Sequence, residues 1–167
     1  RDFVQLSRRL LDAAGTSGTA AERLRRVSHA YASHALEHPL QYRLLFMEQR
    51  PLTTIENSGI EYGNLSEDAY ALLCGLVQAL ASEQGRDLSA QEIQTAAQII
   101  WEGVHGTVAL RLSTDKDPWF QRLALDAHLD ILLDVLLAGV ATRWASLPAG
   151  EPNSDKNANK RPPAKRK

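Results

Sequence analysis

Sulfur is nearly missing from this sequence. Its 167 residues include one cysteine, Cys74, and one methionine, Met47. A lone cysteine excludes an internal disulfide and any metal site built from several thiolates. It lies in the apolar helical stretch A-L-L-C-G-L-V, where it reads as a small core residue or as a thiol lining a pocket. Because Met47 is the sole methionine, Arg1 is no translation start, and we expect a fragment or processed product of a longer protein. No signal-peptide pattern and no apolar run of 18 residues occurs, so the expectation is a cytoplasmic protein without a membrane partner. Strand patterns are missing as well: no candidate exceeds four residues, and no internal repeat is visible. The sequence contains no G-x-S-x-G, no phosphate loop and no dinucleotide fingerprint, which removes the common motif-bearing enzyme classes.

Charge is nearly balanced overall, at −1, but unevenly spread. Six of the 19 Lys and Arg residues (Lys156, Lys160, Arg161, Lys165, Arg166 and Lys167) and two of the 20 acids (Glu151 and Asp155) lie beyond residue 150. The body therefore keeps 13 basic and 18 acidic groups, a net −5. Such a body does not suit a DNA-binding face. We expect a helical domain over 1–147 and a disordered basic tail over 148–167, where Pro148, Pro152, Pro162 and Pro163 leave no apolar surface to bury.

Within the body, hydrophobic spacing and caps predict an all-α fold of about six helices. The first covers Asp2 to Ala14, with Phe3, Leu6 and Leu10 on one side, and ends at Gly15-Thr16-Ser17-Gly18. The second runs from about Thr19 to His38, where Pro39 forces the preceding residue out of the α region. Leu40 to Glu48 reads as a short helix, and Arg50 to Gly63 as a loop rich in turn formers. Ser66-Glu67-Asp68-Ala69 opens a helix to about Glu83. Ser89 with Glu92 has the spacing of a capping box and starts a helix to Ser113. Asp117-Pro118 places the start of the last helix, which continues to about Ala145.

That last helix is apolar on nearly every side between Leu129 and Val140, apart from a stripe of Asp126, Asp130 and Asp134. A surface helix buries about a third of its circumference. One apolar on two sides needs two covers, so a homodimer is expected. Its interface is assigned to Leu129, Leu132, Leu133, Leu136, Leu137 and Val140, with the last two helices pairing with their copies as a four-helix bundle. The aspartate stripe reads as a solvated face, and His29 and His128 as surface residues.

Two further constellations carry chemistry. His34 and His38 are four apart, a spacing that can chelate a metal, but Ala35 stands where H-E-x-x-H needs its glutamate. A metal or cofactor protein of the helical-bundle type, catalytic or not, using His34, His38 and His105, is the alternative reading; no metal ligand or cofactor is assigned. The other constellation is a set of polar tips on apolar helix faces: Tyr31, His34, Tyr70, Cys74, Trp101 and His105. Ligand pockets combine an apolar wall with a few such groups, so these residues, together with Phe46, are the candidate ligand-binding set. Nearby, Gly103 and Gly106 each cost roughly 1 kcal/mol against Ala in a helix interior. They lead us to expect a neighbouring backbone passing close by.

Trp101, His105 and Gly106 together resemble the W-x-x-x-H-G signature of a C-terminal domain found in TetR-type transcriptional regulators. The stretch Y-A-S-H-A-L-E-H-P-L-Q-Y-R-L-L-F-M, from Tyr31 to Met47, resembles that family's helix, His-Pro break and following short helix. The resemblance covers roughly residues 1–145. It implies a bacterial regulator domain without enzymatic activity, most simply from a repressor, that dimerises and encloses a small apolar effector. Operator DNA would be held only by an N-terminal helix-turn-helix, and none precedes Arg1. The segment Asp2 to Ala14 would then be where such a DNA-binding domain joins the core.

Overall fold

The computed structural model describes residues 2–48, 59, 61–114, 116–119 and 121–148. The basic tail from residue 149 onward and most of the Arg50–Gly63 loop lie outside the described residues. Six helices are present among those described, with no strand: α1 (Asp2–Ala14), α2 (Ala20–Glu37), α3 (Pro39–Tyr42), α4 (Ala69–Glu83), α5 (Ala90–Ser113) and α6 (Leu125–Ser146). A π-helical turn, Arg43–Met47, continues α3.

α2 is the hub. It packs against α1, α3, α4, α5 and α6, burying Leu24, Val27, Tyr31 and Ala35 along one side. Its start is a reciprocal cap: Thr19 Oγ1 accepts from the Glu22 backbone N–H at 3.2 Å, and the Glu22 carboxylate accepts from the Thr19 N–H at 2.7 Å. Its end is the expected break at His38-Pro39. α1 is tied to it end to end. Gly15 (φ +56°) lets the chain leave α1 in the left-handed region. The Arg26 guanidinium, from α2, donates to the carbonyls of Ala13, Ala14 and Ser17 at 3.0, 2.7 and 2.6 Å. At the other end Arg9 and Glu37 form a two-point ion pair at 2.6 and 3.0 Å.

Three local expectations are corrected. The last helix starts at Leu125, not at Asp117-Pro118. Arg122 donates to the carbonyls of Arg111 and Thr114, and Arg111 donates to the Leu123 carbonyl at 2.8 Å. These bonds satisfy the open C-terminal end of α5 and hold the connection as a non-helical bracket. The Ser89 cap is only half of a box: its hydroxyl accepts from the Glu92 N–H at 3.2 Å. The Glu92 carboxylate instead pairs with Arg143 of α6 at 2.9 Å. Glycine roles also differ. A Cβ on Gly103 would lie 2.7 Å from Leu136 Cδ1, a side-chain tip rather than backbone, and one on Gly106 would meet nothing within 4 Å.

The aspartate stripe is not simply solvated. Arg25 of α2 pairs with Asp134 and donates to the Asp130 carbonyl at 3.2 Å. His29 lies 2.9 Å from Asp130 and 3.3 Å from Asp126. His29 is thus a docking residue between α2 and α6, not a free surface histidine. Exposed pairs of this kind contribute little stability each, so they set orientation more than energy.

The face of α6 turned inward is narrower than its composition suggests. Leu129, Leu133, Val140 and Trp144 are buried in the chain's own core, at helical spacing. That corrects the interface assignment for Leu129, Leu133 and Val140, whose side chains are already covered. Leu132, Leu136 and Leu137 are partly buried, while Ile131 and Val135 are exposed.

Candidate functional site

Between α1, α2, α4, α5 and the π-helical turn lies a partly open cavity of about 230 Å³. α1 contributes Phe3, Leu6 and Leu10, and α2 contributes Val27, Ser28 and Tyr31. Phe46 enters from the π-helical turn, Tyr70 and Leu73 from α4, and Ile100, Trp101 and Val104 from α5. Four of the candidate ligand residues, Tyr31, Phe46, Tyr70 and Trp101, therefore share this wall. His34, Cys74 and His105 do not line it. The α1 residues and Ser28 escaped the sequence reading. The first look like ordinary core positions, and Ser28 was hidden beside Val27 on the inward face of α2.

Behind the wall, His105 anchors a polar cluster. Tyr31 Oη lies 2.9 Å and Tyr42 Oη 2.8 Å from His105 Nδ1. The Trp101 indole N–H donates to Tyr31 Oη at 3.4 Å. A neutral imidazole with its proton on Nε2 has one lone pair at Nδ1, so it accepts from only one phenol. We assign Tyr31 as the donor to Nδ1, with Tyr42 donating to the His105 backbone carbonyl at 3.2 Å. Tyr42, buried and absent from the candidate set, lies three residues past Pro39. Its partner is 63 residues away, and no local pattern signals that contact.

Aromatic packing completes the cluster. Phe46 stands edge-on to Tyr31 at 5.8 Å, to Trp101 at 6.1 Å and to His105 at 5.8 Å between centroids. The wider turn from Arg43 to Met47 is what sets Phe46 among them; π-type turns often accompany functional sites. Tyr70 leans on Trp101 at 6.3 Å and donates its hydroxyl to Gln94 Oε1 at 2.7 Å.

Electrostatically this site is neutral. Burial pushes the Tyr31 phenol up to about 12, against the Trp101 N–H, which favours the phenolate. Burial also raises Tyr42, Tyr70 and Cys74, and lowers His105. His34 is lowered first by burial, then by His38 and Arg9. Its Nε2 is buried without a hydrogen-bond partner among the described residues. His34 and His38 rings are 4.7 Å apart, but His105 belongs to the tyrosine cluster. Among the described residues no group of three or more His, Cys, Asp or Glu could hold a metal ion. The three-histidine alternative is not favoured.

A pH dependence follows from the two lowered histidines. In the unfolded chain an imidazole titrates near about 6.5. The folded values lie lower, so the unfolded state binds more protons below that pH. Their contribution is complete above about pH 6.5 and is lost as pH falls. Melting temperature should therefore drop from pH 7 towards pH 5.5. His34→Leu should flatten the slope by up to about 1.4 kcal/mol per pH unit, one proton's worth. Thermal melts across this range check it; an unchanged slope in the variant contradicts it.

An all-helical domain with an apolar cavity that no charged side chain lines among the described residues is the class that fold and site define. The family model for the tetracyclin repressor-like, C-terminal domain matches residues 24–140. The chain belongs to that family. Comparison with curated proteins and with solved structures gave no match. No helix among the described residues is long and apolar enough to cross a membrane.

Proposed function

We propose that this chain is the effector-binding and dimerisation part of a TetR-like one-component transcriptional regulator, a repressor released from DNA by a small apolar ligand. The observation that carries the reading is the share of α1 in the cavity wall. Phe3, Leu6 and Leu10 share one cavity wall with Trp101 and Val104. A ligand there touches the helix that would lead to a DNA-binding domain. Its binding energy counts for regulation only as the difference between two positions of α1, one compatible with operator binding and one not.

The homodimer belongs to the same proposal. α5 and α6 carry exposed Leu110, Ile131 and Val135, and the open space beside Gly106 lets another helix approach. Paired across a two-fold axis, they form a four-helix bundle. Operator contact then falls to a domain outside this chain, since the body is acidic, and the working place is the cytoplasm.

The experiment uses the complete regulator encoded by the gene. Sequence upstream of the Arg1 codon should encode a helix-turn-helix. A compound that raises the melting temperature of this chain should also dissociate the regulator from its operator in a gel shift. A stabilising ligand that leaves the operator complex intact at saturation would overturn the release mechanism.

A further inference from the structure

The cavity's polar atoms are already committed to one another, with one exception. Tyr31 Oη receives the Trp101 N–H and bonds His105, and the Tyr70 hydroxyl is held by Gln94. Ser28 is different. It lines the cavity, is only 6% exposed, and its hydroxyl makes no hydrogen bond among the described residues. Other helical hydroxyls here turn back on their own helix: Ser82 bonds the Gln78 carbonyl at 3.0 Å and Thr95 the Gln91 carbonyl at 2.8 Å. A hydroxyl that faces the cavity without a protein partner can donate to a ligand oxygen placed there.

We infer that the cavity takes a neutral aromatic molecule of one or two fused rings, bearing a single carbonyl or hydroxyl oxygen that hydrogen-bonds to Ser28. The inference rests on the cavity being the effector site. Size supports the ring count, because an apolar cavity of about 150 Å³ holds benzene and this one measures about 230 Å³. The wall supports aromaticity: Phe46, Tyr31 and Trp101 already meet edge to face, and an added ring continues that packing. Charge is excluded by the lining itself. Among the described residues it contains no carboxylate, ammonium, guanidinium or imidazole, so an ionised ligand would give up hydration with no counter-charge from them.

The test is calorimetric titration of the chain with three compounds of similar shape: acetophenone, ethylbenzene and benzoate. Acetophenone and ethylbenzene should bind, and benzoate at neutral pH should not. Ser28→Ala should weaken acetophenone about three- to tenfold, one neutral hydrogen bond, and change ethylbenzene less than twofold. Leu73→Trp, which fills the cavity from α4, should abolish both, with circular dichroism confirming the fold. Benzoate binding as tightly as acetophenone, or Ser28→Ala shifting both neutral compounds equally, overturns the inference while leaving the effector site standing. Failure of both neutral compounds to bind wild-type chain, or their undiminished binding to Leu73→Trp, removes the effector-site reading as well.

Discussion

Leu133→Asp should unfold the chain, whereas Val135→Asp, two residues along the same helix, should leave it folded and make it monomeric. Leu133 is fully buried against the chain's own core, while Val135 is 65% exposed. A carboxylate at Leu133 would sit in the hydrophobic core, and an unpaired buried charge costs several kcal/mol. Domains of this size are stable by about 5–15 kcal/mol, so such a change removes most or all of the margin. At Val135 the same carboxylate sits in water in the isolated protomer and costs little. Across the proposed two-fold interface it would be desolvated beside apolar α6 residues of a second copy. Circular dichroism melts and light scattering at micromolar concentration separate the outcomes. A dimeric Val135→Asp variant places the interface elsewhere, and a monomeric wild type removes it.

Trp101→Ala should destabilise the chain by about 3 kcal/mol, the lower end for a large aromatic, because Trp101 is partly rather than fully buried. The indole forms one wall of the cavity, leans on Phe46 and Tyr70, and donates to Tyr31. Its removal enlarges an existing space that the surrounding rings cannot fill, since the hydrogen bond between Tyr31 and His105 holds α2 at its present distance from α5. Added indole should then restore part of the loss. At ten times its Kd, a ligand bound only to the folded state returns about 1.4 kcal/mol. Urea unfolding with and without indole measures both quantities. A loss below about 1 kcal/mol, or no recovery with indole, shows that Trp101 does not hold the cavity open.

Some of this protein is written locally. The extents of α1 and α2, the break at His38-Pro39, and the ends of α4 and α5 follow from helical spacing, glycine and proline. Each depends on bonds between residues a few positions apart. Tyr31, Tyr70 and Trp101 were also legible as a group, because a polar tip on an apolar face is visible without knowing what it meets. Tertiary structure decided the rest. Pro118 reads as a helix start from its neighbours, yet α6 begins at Leu125, because Arg122 and Arg111 bond carbonyls that no local pattern brings near. The inward side of α6 was likewise undetermined. A helix apolar all round supplies no moment to orient it, and only the docking of Arg25 and His29 on its aspartates turns Leu129 and Leu133 into the core. Ser28 and Tyr42 gained their importance the same way, the one by facing an empty space, the other by meeting His105. Helix limits are set by short-range hydrogen bonding and backbone sterics; cavities and helix faces are set by what the rest of the chain leaves uncovered.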